Sequence, residues 1–378
     1  MAPKNADVFA VRALARDGLR FADPEGEPRL AACRAAWFSA ATLLQRAVAL
    51  ELDVDSTGIE IASLHIVFNQ DTRGSELYLA DEHPNGSGLV RWLRDHWLEV
   101  LDGLLTSQGK TSMLGRALAA ELRKPPAQSD PDGLLRGFQN RFIHPLLDHA
   151  LGLDLLATLR DPDFVPGSGE LPNGGKQPST LRPWRSRARP LVERLAAVQT
   201  TLEAIGVDRD EGPLAWAEAD RPGVLYAAVH PLWSSSPNRL NPLKEVVALA
   251  ESRGVERVHL VDTFNLERRM SWVQQHRLAL PRLVVGGSSS PPEPWDVAVG
   301  ETFKRRGREF RRLQQRPFDA SLAPATYLAR RDDGLVVLLK KDRSIDRVRV
   351  VEERQFIGPS DYSRFQVLAE ATVSMVRP

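Results

Sequence analysis

The stretch GVLYAAVHPLWSSSPNRLNPLKEVVALAESRGVERVHLVD, residues 223–262, carries the pattern that decides the fold class. Gly223–Val229 is a short apolar run rich in strand formers, and Glu256–Asp262 is another. Between them Pro242–Ser252 places apolar residues at helical spacing. Strand, helix and strand at this separation predict a small α/β unit with parallel pairing. In such sheets ligands gather beyond the carboxyl ends of the strands. His230 follows the first strand directly, and Asp262, Asn265 and Arg268 follow the second, so catalysis, if there is any, is expected there. No HxK pair, Gly-x-Ser-x-Gly elbow or HExxH helix fixes a reaction. Two readings stay open: His230 and Asp262 as centre of a nuclease-like phosphodiesterase, or a polar rim without chemistry.

Outward from this unit, Pro190–Ile205 reads as helix. The loop GGSSSPPEP (Gly286–Pro294) precedes a basic helix expected over Glu301–Arg316, and ATYLARR, GLVVLLKK and DRVRVVEER read as short closing strands. On the other side, PDFVPGSGELPNGGKQPSTLRP (Pro162–Pro183) is dense in Gly, Pro and Ser, the composition of a linker. Sequence therefore divides the chain into a domain over residues 1–165, a linker over 166–183 and an α/β domain over 184–378. In the first domain Pro28–Leu50, with the pattern LAACRAAWFSAATLLQRAVAL, is expected to be a largely buried helix by its apolarity on most sides. Ile59–Phe68 and Glu76–Asp81 follow as strands, with NQDTRGS as the turn between. Helices are expected over Leu89–Leu105, Met113–Lys124 and Pro131–Leu159, the last bent at Pro145. The fold class is mixed α/β: a helix-rich domain around a small sheet, then a second α/β domain.

Lys and Arg number 50 against 49 Asp and Glu, so nucleic-acid contact requires a local patch. A single cysteine, Cys33, excludes a disulfide framework and any multi-cysteine metal site. The N-terminal residues do not read as a signal peptide, and no apolar run is long enough to span a bilayer, so a cytoplasmic protein with no membrane contact is expected.

Three places invite an anion. HPNGSG (His83–Gly88) leads into a helix, where the backbone N–H groups of Asn85, Gly86, Ser87 and Gly88 are placed to hold a phosphate. The alternative is a strand-to-helix turn whose glycines serve only their dihedrals. No Walker loop is present. Arg136, Asn140 and Arg141 belong to a polar cluster with His144, Asp148 and His149. They read either as a nucleic-acid or partner contact or as packing polar groups, with Arg136 and Asp148 forming a buried pair. The spacing of His144 and His149 does not set both rings on one helical face. Finally KRRGREFRRLQQR (Lys304–Arg316) brings Arg305, Arg306, Arg308, Arg311 and Arg312 together, a run that tracks phosphates or forms a solvated face.

Three segments in order resemble one family. AAWFSAATLLQRAVALELDVDSTGIE resembles the first helix and strand of the domain that ends DISARM-type (DrmB) and MrfA-type DNA helicases. ELYLADEHPNGSGLVRWL resembles that family's strand and glycine loop, with Asp81, Pro84, Gly86 and Gly88 keeping the outline. LLRGFQNRFIHPLLDHALGLDLL resembles its stretch Leu-Arg-Ser-Tyr-x-Asn followed by Leu-Leu-Asp and Gly-Leu-Asp-Leu-Leu, through Leu135, Arg136, Phe138, Asn140, His144, Leu146, Leu147, Asp148, Gly152, Leu153, Asp154, Leu155 and Leu156. Family members open that third stretch with Cys-x-x-Cys, half of a four-cysteine zinc site. Pro131 and Leu134 stand there instead, so no metal and no cofactor is expected, and packing by Leu134 and its neighbours has to replace the zinc. The resemblance implies a non-catalytic accessory or scaffold subunit of a bacterial DNA-processing, anti-phage defence complex. Its partners would be a helicase or nuclease subunit of the same operon and DNA, single-stranded DNA included.

Overall fold

The computed structural model describes residues 6–23, 31–69, 72–83, 86–106, 112–125, 127–172, 180–198, 201–209, 211–218, 223–238, 240–255, 257–275 and 280–284. Beyond these it describes the backbone of strands at 309–312, 325–330, 336–342, 347–352 and 366–372. The fold is mixed α/β, as the patterning predicts, and the chain divides into two units near residue 285.

The first unit opens with β1 (Val8–Leu14), which pairs with β3 (Thr72–Asp81); β3 in turn pairs with β2 (Ile59–Asn69), giving an antiparallel sheet in the order β1-β3-β2. α1 (Ala32–Leu52) carries Trp37, Leu43, Leu44 and a run of alanines that are all buried, consistent with its all-round apolar sequence. It ends where Asp53 turns left-handed at φ 52°. The expected helix over Leu89–Leu105 is two helices, α2 (Leu89–Asp95) and α3 (Trp97–Leu105). His96 leaves helical geometry between them, its ring stacked on Trp92 with centroids 4.4 Å apart. α4 (Met113–Glu121) follows, N-capped by Ser112, whose hydroxyl accepts the Gly115 N–H at 3.0 Å.

The helix expected over Pro131–Leu159 is replaced by 3-10 turns at Pro131–Leu134 and Arg141–Leu146 and by α5 (His149–Arg160). Pro145 has no N–H to donate, and Asp148 restarts the helix by accepting the Leu151 N–H at 3.0 Å. At the positions where the resembled family carries cysteines, Pro131 begins a turn whose Gly133 N–H donates to the Asp130 carboxylate at 2.9 Å. The Ser129 hydroxyl donates to the Glu121 carbonyl at 2.9 Å, tying this turn to α4, while Leu134 packs on the core and Leu135 is buried.

α6 (Trp184–Val198) leads into a mixed sheet in the order β4-β5-β6-β7-β8, formed by Leu202–Ile205, Ala215–Glu218, Val224–Val229, Arg257–Asp262 and Arg282–Val284. β6 and β7 are parallel, joined by α7 (Leu243–Ser252), with Val229 opposite Asp262. α8 (Thr263–Arg268) and α9 (Met270–Gln275) follow β7.

Sequence places a domain boundary at residues 166–183, yet this segment lies inside the first unit. Phe164 and Leu181 are buried, the Thr180 hydroxyl donates to the Leu104 carbonyl at 2.6 Å, and Trp184 N–H donates to Gly167 O at 2.8 Å. Gly167 sits at φ +84°, and a Cβ there would come within 2.5 Å of the Trp184 Cβ. The glycine therefore serves a tight turn against the core, a role composition alone does not separate from a loose linker. The segment after β1 joins in as well: Arg20 N–H donates to Leu232 O at 2.8 Å and Ser234 N–H to Gly18 O at 2.7 Å. A hydrophobic cluster accordingly draws residues from Val11 to Leu283, and a second gathers α6 and the sheet around Trp216 and Tyr226.

The second unit carries an antiparallel sheet in the order β13-β12-β11-β10-β9: Gln366–Thr372, Arg347–Glu352, Val336–Asp342, Ala325–Arg330 and Glu309–Arg312. The domain expected over 184–378 is thus split. The basic helix expected over Glu301–Arg316 gives way, at Glu309–Arg312, to an edge strand paired with β10, since cross-strand pairing overrides helix propensity. Arg311 and Arg312 lie on it, opposite Leu328 and Tyr327; Arg305, Arg306 and Arg308 lie outside the described residues.

Candidate functional site

Beyond the carboxyl ends of β6 and β7, α5, α6 and α8 enclose a cleft of about 20 Å³, lined by Asp148, Asp154, Arg182, Trp184, Arg187, His230, Thr263 and Glu267 among others. That volume suits roughly one water-sized group. His230, expected here from sequence, is buried, and its Nε2 lies 2.9 Å from Asp154 Oδ2. Its Nδ1 accepts the Leu232 N–H at 3.1 Å, which leaves Nε2 to donate to Asp154. Asp154 comes from α5, and its other oxygen, Oδ1, is buried without a hydrogen-bond partner among the described residues.

Asp262 does not join His230 in a common site. Its carboxylate caps α8, accepting the Asn265 N–H at 2.9 Å and the Asn265 side-chain amide at 3.0 and 2.8 Å. Arg20 Nη2 lies 3.4 Å from the same carboxylate. Arg268 is used structurally: its guanidinium donates to the carbonyls of Pro145 and Leu147 at 3.1 and 3.0 Å. Among the described residues no hydrogen bond or ion pair links His230 to Asp262.

The strongest electrostatic feature is a pair absent from the sequence expectation. Arg187 of α6 donates through both terminal nitrogens to Asp148, at 3.0 and 2.8 Å, with Asp148 buried. Burial by itself would push the Asp148 carboxyl up, but the Arg187 charge and its hydrogen bonds outweigh it and hold the carboxyl well below the usual carboxylate range. The Arg187 guanidinium is raised in turn by Asp148. Arg136, expected as the partner of Asp148, instead lies 3.6 Å from the exposed Asp130. The reason is topological: Asp148 points to α6, which sequence assigned to another domain.

Asp132, Asp148 and His149 offer three ligand atoms within 4.8 Å of one another, a set that resembles a cation site. These groups already neutralise each other. Asp132 Oδ1 accepts from His149 Nδ1 at 2.7 Å and from the His149 N–H at 2.8 Å, Arg268 Nη2 lies 3.7 Å from Asp132 Oδ2, and Arg187 holds Asp148. With the Nδ1 proton in place, His149 has no lone pair free on that side for a metal.

The glycine loop expected to bind an anion already holds one. Asp81 Oδ2 accepts the N–H groups of Ser87 and Gly88 at 2.8 and 2.7 Å, and Oδ1 accepts that of Val90 at 3.0 Å. Gly86 and Gly88 take φ of +78° and +79°, so their role is conformational. Asn85 lies outside the described residues. A phosphate would have to displace a carboxylate from these amides.

The remaining expected residues form an ordered loop. The Gly137 N–H donates to Asn140 Oδ1 at 2.9 Å, Asn140 Nδ2 donates to Leu135 O at 2.8 Å, and His144 Nε2 lies 2.8 Å from Asn140 Oδ1. Asn140 is therefore a loop brace and not a free contact, whereas Arg136 and Arg141 are exposed. Among residues missed from sequence, Asp154 had a legible signal, being the lone carboxylate inside the apolar run LGLDLLATL. Arg187 had none, because its partner lies far away along the chain.

No family model, characterised protein or solved structure matches this chain. Among the described residues no helix is long and apolar enough to cross a membrane.

Proposed function

We propose that this chain is a non-catalytic accessory or scaffold subunit of a bacterial DNA-processing complex, of the anti-phage defence kind that the helicase-domain resemblance implies. It works in the cytoplasm with a separately encoded helicase or nuclease and contacts nucleic acid. The observation that supports this reading best is the commitment of polar groups where chemistry was expected. His230 is tied to Asp154, Asp262 to Asn265 and Arg20, and Asp148 to Arg187. Groups held this way orient packing, and the cleft they line is water-sized, too small to bring a substrate to the open Asp154 Oδ1.

The test is a tagged pull-down expressed from the native operon, washed at two salt concentrations and read by mass spectrometry. A helicase or nuclease recovered in stoichiometric amount is expected. Hydrolysis of single- or double-stranded DNA, or of a nucleotide, by the purified chain alone would overturn the proposal in favour of a phosphodiesterase centred on the His230 region.

A further inference from the structure

The two most exposed large apolar side chains among the described residues are Phe138 and Phe142, at 78% and 79%. Both belong to the loop RGFQNRF, residues 136–142, and the other exposed side chains of that loop are Arg136, Gln139 and Arg141. The Arg141 guanidinium lies over the Phe138 ring, 4.8 Å from its centroid. No carboxylate among the described residues forms an ion pair with Arg141, and Arg136 has only the loose contact with exposed Asp130. The backbone beneath is fixed by the Asn140 and His144 bonds and by Arg46, whose Nη2 donates to the Arg136 carbonyl at 3.3 Å.

From this arrangement we infer that the 136–142 loop is a docking surface for single-stranded nucleic acid, with Phe138 and Phe142 as stacking platforms for bases and Arg136 and Arg141 as phosphate contacts. Exposed rings interleaved with under-neutralised guanidinium groups are the chemistry that holds unpaired bases on a polyanionic backbone, and every base has a face to stack. A duplex hides those faces, so single strands are selected. A hydrophobic protein partner fits less well, because the exposed apolar surface of this loop is aromatic only and is interleaved with the Arg136 and Arg141 guanidinium groups. The loop is braced before any ligand arrives, so binding requires little ordering of its backbone. The inference deepens the nucleic-acid contact proposed above and depends on that reading only for the contact itself.

Fluorescence anisotropy of a labelled oligothymidylate against the purified full-length chain tests it, with a duplex of equal length for comparison. The wild type is expected to prefer the oligothymidylate. The double change Phe138→Ala, Phe142→Ala should weaken that binding by about 10-fold or more, with the thermal midpoint unmoved because both rings are exposed. Phe138→Trp should retain binding. Arg136→Ala with Arg141→Ala should reduce the slope of log affinity on log salt by about 1 to 1.5. Failure of the wild type to bind at low salt, or a double phenylalanine variant that binds like the wild type, overturns the inference. So does loss of a copurifying protein from that variant with oligothymidylate binding intact, which would make the loop a protein contact. A chain that binds the oligothymidylate through these rings yet recovers no operon partner keeps this inference and removes the subunit reading. Recovery of a partner without oligothymidylate binding does the reverse.

Discussion

Replacing Arg187 by Met leaves the buried Asp148 carboxylate without its cation. Removing one member of a fully buried pair costs about 3–5 kcal/mol. The Asp148 side chain is 3% exposed but that of Arg187 is 38% exposed, so water reaches the gap and the expected loss falls to about 2–3 kcal/mol. Glu267, 3.8 Å from Arg187 and 44% exposed, adds nothing measurable. The pH dependence identifies the cause. In the wild type the folded Asp148 carboxyl lies below its unfolded value of about 3.9, so its stabilisation is fully present above that value and is lost as pH falls through the folded one. In the variant burial is opposed only by the Leu151 N–H bond and nearby His149, so the carboxyl rises from its wild-type position and the folded state takes up a proton earlier as the solution is acidified. The stability gap between the two proteins should therefore be widest near neutrality and narrow below about pH 5. Urea unfolding followed by tryptophan emission measures it, with Trp184 lining the same cleft. Asp148→Asn keeps an acceptor for the Leu151 N–H while removing the charge, so the double variant should recover about 2 kcal/mol relative to additive losses. A gap that is constant with pH together with additive single variants would refute the ion-pair account and leave packing by the arginine stem as the cause.

Asp81→Ala removes the acceptor of three backbone N–H groups and should cost about 2–3 kcal/mol in urea unfolding. Inorganic phosphate should then raise the thermal midpoint of the variant and not that of the wild type; stabilisation of both would mean that the loop takes an outside anion as built. Gly152→Ala places a Cβ 2.8 Å from the Ser39 Cβ and 2.9 Å from its carbonyl carbon, forcing α5 away from α1. Despite the better helix propensity of alanine, it should lower stability by about 1–3 kcal/mol, checked by thermal unfolding. Cys33 is buried, and burial pushes its thiol well above the usual value, so Ellman's reagent should leave the native protein unlabelled at neutral pH and titrate one thiol after unfolding. Rapid labelling of the native chain would contradict the packing around α1.

How much of this was legible in the sequence follows from the range of each interaction. Local periodicity identified α1, β2, β6, α7 and β7, since alternation and helical spacing are properties of neighbouring residues. It also placed His230 and Asp262 at adjacent strand ends, where Val229 and Asp262 do pair in register. It failed where local preference was ambiguous. Arginine-rich residues 309–312 favour a helix alone but pair as a strand, and the Gly/Pro-rich stretch 162–183 reads as a linker, yet its described residues Phe164, Thr180 and Leu181 pack into the core. Functional grouping was the least legible layer. Asp81 occupies the glycine loop, Arg187 takes Asp148 from a distance of 39 residues, and Asp154 reaches His230 across 76. Sequence by itself determined the residue types, the mixed α/β class and most of the elements. Only the tertiary structure decided which charges meet, because a buried carboxylate must be neutralised by whatever donor the packing brings to it, and packing is not encoded within any one segment.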